Sequence, residues 1–280
     1  AQEPDGYLYS ARTLGFRSRM MGPVRWSNLD HSHELYNAGH LIEGAVAYWE
    51  ATGESKFLDV AVKIADLIDR TFGPGPTQLK GTSGHEEIEL ALCKLYRATN
   101  EERYLNLAKH LLDVRGVSAG SKNGLVFTQK GTLSKEGNLG ANKYCQAHLP
   151  VVRQREAVGH AVRAVYLYCG MADVSALTGN SGYIEAIDAI WHDVAFKKLH
   201  LNGSVGASPR GEAFGGPYDL PNEKAYLETC AGIGYALWNQ RMFLRDGDAK
   251  YVDLIERGIY NGILSGVSLG GDEFFYPNPM

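Results

Sequence analysis

The sequence predicts an all-α-dominated fold, a series of helical hairpins wound into an (α/α) barrel, and three observations predict it. Apolar residues recur three and four apart along almost every long segment, the period of an amphipathic helix. A short signature repeats without gaps in "ATGESKFLDVA", "ATNEERYLNLA", "LTGNSGYIEAI" and "RDGDAKYVDLI", each placing Gly or Asn four residues before an aromatic. Strand-like alternation is scarce until "GLVFT" (124–128) and "DEFFYPNPM" (272–280).

The elements follow in order. "HELYNAGHLIEGAVAYWEATG" and "KFLDVAVKIADLIDRTFG" form a first hairpin, broken at Gly53; "EEIELALCKLYRATN" and "RYLNLAKHLLDVRG" form a second, broken at Asn100. "EAVGHAVRAVYLYCGMADVSALTG" opens a third that turns at Gly179, and "KYVDLIERGIYNGIL" closes a fourth after Gly247. Gly or Asn at those points fits a left-handed helix C-cap, and Phe57, Tyr104, Tyr183 and Tyr251 then fall in the first turn of the next helix. The breaks lie 47, 79 and 68 residues apart, too irregular for a uniform solenoid but suited to a toroid with elaborated loops. Two loops stand out: Gly116 to Leu149, glycine-rich and poor in apolar residues, and "GSVGASPRGEAFGGPYDLPNE" (203–223), which carries Arg210 and Glu212 at its centre.

The repeat also tests which residues share a position. His33 precedes Gly53 by 20 residues, His160 precedes Gly179 by 19, Glu228 precedes Gly247 by 19, and His85 precedes Asn100 by 15. Three histidines and a glutamate thus sit at the starts of first helices, at one rim of the predicted ring. A single His or Glu there reads equally as a cap or a dipole partner; four nearly in phase favour a shared polar cavity. His40, seven residues after His33 and about 20° off the same helical face, extends that polar face, with Asn37 between them.

In "KAYLETCAGIGYALW" a carboxylate, Glu228, and a thiol, Cys230, stand among apolar neighbours. Residues two apart diverge by about 200° within a helix, so the two can meet one ion only if the helix starts near Glu228 and the preceding segment is extended. Pro221 and Asn222 at the start and Gly232 and Gly234 as interruptions are consistent with that. The simpler reading is a small buried Cys and a capping Glu.

Composition excludes several classes. With 28 Lys and Arg against 32 Asp and Glu and no block of like charge, nothing marks a nucleic-acid or membrane surface. No run of about 18 apolar residues is present and no signal peptide is visible at the first residue. Cys93, Cys145, Cys169 and Cys230 are widely spaced with no CxxC pair, so free thiols or metal ligands are expected rather than bridges. Free thiols favour a cytoplasmic location, although a metal-protected thiolate also persists in a periplasmic or secreted protein.

"HELYNAGHLIEGAVAYWEATG", "GHEEIELAL", "AVGHAVRAVYLYCGMADV", "GEAFGGPYDLPNEKAYLETCAGIG" and "YVDLIERGIYNGILSGVSLGGDEFFYPNP" resemble, in order, signature segments of glycoside hydrolase family 127, the β-L-arabinofuranosidase family. The resemblance covers nearly all of the chain. It implies an (α/α)6 barrel followed by β-sandwich domains, with residues 1–270 as a catalytic barrel lacking its first hairpins and 271–280 as the start of a β segment. It further implies a retaining glycosidase with a zinc-bound cysteine thiolate as nucleophile, releasing L-arabinofuranose. Glu212 matches the general acid/base, and Glu228 and Cys230 match two zinc ligands. His33, His85, His160, Glu256 and Tyr276 match sugar-binding positions. Asp5 of "PDGYL" also matches a family motif, and an Asp-Gly turn is its structural reading. The remaining zinc cysteines, the nucleophile among them, are expected beyond Met280, and none of Cys93, Cys145 or Cys169 has the matching context.

The expected partner is a small carbohydrate, an arabinofuranoside oligosaccharide or glycopeptide; a homodimer is compatible with the sequence. Three alternatives stay open at this level: a glycosidase of the same family acting on another furanoside or acidic sugar, a sugar epimerase or polysaccharide lyase working by proton abstraction on an (α/α) barrel, and an inactive carbohydrate-binding chain.

Overall fold

The computed structural model describes residues 2–16, 21–29, 31–117 and 143–278, so "GLVFT" and most of the loop after Gly116 lie outside the described residues. The chain divides into two compact units, Ala1–Asn138 and Leu139–Met280.

In the first unit a helical turn α1 (Ser10–Thr13) precedes two hairpins, α2 (Glu34–Thr52) with α3 (Lys56–Thr71) and α4 (Ile88–Thr99) with α5 (Glu102–Val114). The opening helices α2 and α4 pack against each other, and each carries its returning partner on its flank. Composition explains the division. On α3 the buried residues Leu58, Ala61, Ile64, Ala65 and Ile68 form one stripe, as expected of a helix with a wet outer face. On α4, Ile88 through Cys93 are buried without a break. Tyr7, Trp26 and Phe72 add an edge-to-face aromatic stack, with ring centroids 5.4 and 5.5 Å apart. Beside it Asp5 forms a turn, its Oδ1 accepting from the Tyr7 amide at 3.1 Å while Arg25 holds Oδ2.

The second unit repeats the scheme with α6 (Ala161–Thr178) and α7 (Ser181–Lys197), then α8 (Thr229–Asp246) and α9 (Ala249–Gly258), which runs on through a π-helical turn at Ile259–Ile263. Again the opening helices α6 and α8 pack together. Every residue of α6 from Ala161 to Ser175 is buried, Asp173 included, whose carboxylate takes a 2.7 Å ion pair from buried Arg241 of α8. Gly232 and Gly234 do not interrupt α8, contrary to expectation; the helix runs unbroken through both. Close packing is their reason, because a Cβ on Gly234 would come within 2.4 Å of Val165 Cγ2.

All four hairpins break where the repeat predicts. Gly53, Asn100, Gly179 and Gly247 are C-caps with φ of 73°, 57°, 66° and 71°, the left-handed region, and each amide bonds back to the carbonyl four residues earlier. Tyr104, Tyr183 and Tyr251 are buried in the first turn of the following helix, whereas Phe57 is exposed. The segment expected to be β-rich supplies the strand β2 (Pro277–Asn278), antiparallel to β1 (Leu227–Glu228) just before α8.

Candidate active site

The N-terminal ends of the opening helices carry the polar residues. His33, His160 and Glu228 are themselves the N-cap residues of α2, α6 and α8, and His85 lies two residues before the α4 N-cap, Glu87.

In the second unit these ends build a compact site. The His160 Nδ1 accepts the Arg163 amide at 3.3 Å, leaving Nε2 to face Glu212 Oε2 at 2.9 Å. Burial, with help from the Arg163 charge and against the pull of Glu212, pushes the imidazole down to about 4, so it is neutral near pH 7. With Nδ1 committed as acceptor, Nε2 carries the hydrogen and donates to Glu212. His160 is set from below by Gly159, whose φ of 76° allows it to lie against the Lys143 carbonyl, and by Gln146, which donates to the Val158 carbonyl at 2.8 Å.

Glu212 arrives from the glycine-rich loop. Its own φ is 50°, a conformation that non-glycine residues seldom adopt. Ties to the start of α6 hold it there: Ala161 donates to the Glu212 carbonyl at 2.9 Å and Phe214 to the Gly159 carbonyl at 2.9 Å, around an antiparallel bridge of His160 and Ala213. The second carboxylate oxygen, Oε1, accepts the Tyr226 hydroxyl at 3.0 Å. Burial and the Glu212 carboxylate push that phenol up to about 12.

Glu228 has extended backbone, φ −63° and ψ 138°, and the helix begins at the next residue. That arrangement lets Glu228 and Cys230 converge, with Cys230 Sγ 4.0 Å from Glu228 Oε1. Tyr276, two residues before the end of the described chain, is brought beside them by the β1–β2 pairing: Thr229 donates to the Tyr276 carbonyl at 3.0 Å, and the Tyr276 hydroxyl partly offsets the upward push of burial on Glu228. Burial and the neighbouring Glu228 charge together push the Cys230 thiol up.

The pair suits a zinc ion on reach and on charge. Zinc bonds of about 2.3 Å to sulfur and 2.0 Å to oxygen would draw the two donors to about 3.5 Å at a tetrahedral angle, close to their present separation. Glu228 Oε2 is buried and has no hydrogen-bond partner among the described residues. A divalent cation would relieve the mutual repulsion of an ionised carboxylate and thiolate. Atoms of His160, Glu212 and Glu228 also lie within 4.8 Å of one another. In that trio His160 Nε2 and Glu212 are already hydrogen-bonded to each other. Among the described residues no disulfide joins the four cysteines; Cys93 and Cys169 are buried in α4 and α6. Glu256 stands on the exposed side of α9, with no hydrogen bond to this cluster among the described residues.

In the first unit, His33 and His85 have ring centroids 5.6 Å apart, with Tyr36 4.1 Å from His85 and 4.4 Å from His40. His40 Nδ1 lies 3.2 Å from a carboxylate oxygen of buried Glu87, which Gly39 makes room for: a Cβ there would come within 2.5 Å of Glu87 Cγ. Fully buried Arg115 ties the loop carrying His85, pairing with Glu86 at 2.8 Å and donating to the Ser83 carbonyl at 2.7 Å. His40, Glu43 and Glu87 form a second set of donors within 4.8 Å, but Lys94 already neutralises Glu43.

Tyr226 escaped the sequence reading. Its signal was present in "AYLE", where residues two apart in an extended segment share a face, so Tyr226 points where Glu228 does.

Helical hairpins with a hydrogen-bonded histidine–carboxylate pair and a carboxylate–thiol pair at the helix starts define an (α/α)-barrel-type protein with a polar site. The chain belongs to glycoside hydrolase family 127: residues 1–280 match the family described as "Beta-L-arabinofuranosidase, GH127 catalytic domain". It is 39% identical over 290 residues to a non-reducing end beta-L-arabinofuranosidase of Bifidobacterium longum subsp. longum, covering 100% of this chain and 43% of that protein. A solved GH127 beta-arabinofuranosidase is 52% identical with a TM-score of 0.88, over 99% of this chain and 41% of that one. A GH127 beta-L-arabinofuranosidase from Geobacillus stearothermophilus T6 gives 43% identity and a TM-score of 0.88, over 99% of this chain and 43% of its own. The chain therefore spans about two fifths of the length of these relatives. A cellobiose 2-epimerase from Bacillus thermoamylovorans, 13% identical with a TM-score of 0.54, shares the fold alone. The helix-dominated (α/α) barrel class predicted from periodicity is thus the class of these structures.

Proposed function

We propose that this chain carries the acid/base and part of the metal site of a retaining, zinc-dependent glycoside hydrolase that releases L-arabinofuranose from the non-reducing end of β-L-arabinofuranosides. Family membership and the activity named for its relatives support the substrate class. The observation that carries the chemistry is Glu212, held through both carboxylate oxygens by His160 and Tyr226 beside the Glu228–Cys230 pair.

In this reading Glu212 gives its proton to the glycosidic oxygen as the C–O bond breaks, the bonding electron pair leaving with that oxygen while the nucleophile's electron pair bonds to the anomeric carbon. In the second half Glu212 takes a proton from the water whose oxygen bonds to the anomeric carbon as the bond from that carbon to the nucleophile breaks, its electron pair returning to the nucleophile, which restores the acid. His160 supplies a fixed donor that orients the carboxyl group. Zinc, held in part by Glu228 and Cys230, would keep a ligated thiolate anionic at neutral pH, the form a thiol nucleophile needs. The nucleophile is assigned to a cysteine other than Cys93, Cys145, Cys169 and Cys230. His33 and His85 are assigned to sugar hydroxyls.

The test is Glu212→Gln in the full-length protein. Turnover of an alkyl β-L-arabinofuranoside should fall by about 10²- to 10⁴-fold, the usual worth of a positioned general acid. Unaltered hydrolysis would remove Glu212 from the acid/base role.

A further inference from the structure

Resting on that reading of Glu212, we infer that Tyr226 is a positioning residue that selects Oε1 as the oxygen from which Glu212 delivers its proton. The two oxygens of Glu212 have chemically different partners. Oε2 faces His160 Nε2 at 2.9 Å, and the His160 Nδ1 is committed to the Arg163 amide. A neutral imidazole fixed in that tautomer can only donate through Nε2, so Oε2 is held as an acceptor. Oε1 faces the Tyr226 hydroxyl at 3.0 Å. A hydroxyl rotates and can donate or accept: it donates to Oε1 while Glu212 is ionised and accepts from Oε1 once that oxygen carries the proton. Tyr226 is therefore the neighbour of Glu212 that can follow the proton through both halves of the cycle.

The backbone is built to hold the phenol there. The Tyr226 amide donates to the Ala207 carbonyl at 3.2 Å, and Gly206, at φ 116°, passes so close to the Tyr226 carbonyl that a Cβ would come within 2.7 Å of it. The loop that delivers Glu212 and the segment that delivers Tyr226, just before β1, are thus clamped to each other two residues before Glu228.

A general acid matters most when the leaving group is poor, because a nitrophenolate departs with little protonation while an alkoxide does not. The experiment compares p-nitrophenyl with methyl β-L-arabinofuranoside for the full-length wild type, Tyr226→Phe and Glu212→Gln. For Tyr226→Phe the ratio of kcat/KM on the aryl to that on the methyl glycoside should rise at least about tenfold, with KM for the methyl glycoside within about twofold of wild type. An equal loss on both substrates, or a change confined to KM, would overturn the inference, since either marks a structural or sugar-binding role. Glu212→Gln is the internal standard. If its ratio does not rise, the acid/base reading itself fails; if it rises and that of Tyr226→Phe does not, only the inference about Tyr226 fails. Thermal unfolding of each variant, monitored by circular dichroism, separates misfolding from either outcome.

Discussion

Glu228 and Cys230 are two residues apart, and whether they meet depends on a single backbone transition. Were both inside α8 they would point about 200° apart; because Glu228 is the extended N-cap, the carboxylate and thiol come within 4.0 Å. Removing the softer of the two proposed ligands tests the pair directly. In the full-length protein Cys230→Ser should lower bound zinc, measured by plasma mass spectrometry after dialysis, by about 10-fold or more in affinity, since a serine hydroxyl is not ionised near neutral pH and is a poor zinc ligand. Full zinc occupancy in that variant under competition with a chelator would place the metal elsewhere. Glu212 teaches a related lesson at the same scale. Its left-handed backbone has no signature in the sequence, and it persists because the Ala161 and Phe214 amides secure the loop on either side.

At the scale of elements, the helices end where the repeat says because left-handed caps satisfy the last carbonyls, and the next helix opens on its own cap. Asn180 shows the device most completely: its side-chain oxygen accepts from the Gly182 and Tyr183 amides at 3.0 and 3.3 Å at the start of α7, directly after the Gly179 C-cap. Asn180→Ala leaves those donors without that partner and should destabilise the fold by about 0.5–2 kcal/mol, read from urea unfolding. No measurable change would mean that water replaces the cap at no cost. The same hairpins explain why the glycines of α8 misled expectation. Gly232 and Gly234 read as helix breakers in isolation, yet their missing side chains admit Ile263 and Val165, and packing outweighs the propensity cost of about 1 kcal/mol per glycine.

Across the whole molecule, burial of imidazole sets a pH dependence. His40, His110, His148, His160 and His200 all titrate below the ordinary histidine value of 6.5, with burial the first cause in each. A group disfavoured as a cation in the fold is protonated earlier in the unfolded chain, which therefore binds more protons below about pH 6.5. The stabilising contribution is complete above that pH and is lost as pH falls toward the depressed values, about 4 for His160. Burial raises the Glu228 and Asp69 carboxyls, which works in the opposite sense. The unfolding free energy should thus decline between about pH 7 and pH 5, and His160→Gln should flatten part of that decline. A flat or rising profile would show that these imidazoles are hydrated in the native state.

By itself the sequence determined the helical period, the four caps and the phase that puts His33, His160 and Glu228 at equivalent helix starts, because these are local properties of backbone preference and spacing. It also contained the motifs of the family. Only the tertiary structure decided that Glu212 bonds His160 across 52 residues, that Tyr226 takes its other oxygen, and that β2 brings Tyr276 to Glu228 and Cys230. Those pairings depend on where a glycine-rich loop and a terminal strand come to rest, and that is set by close packing and hydrogen bonds between residues far apart in the chain rather than by the preferences of either segment.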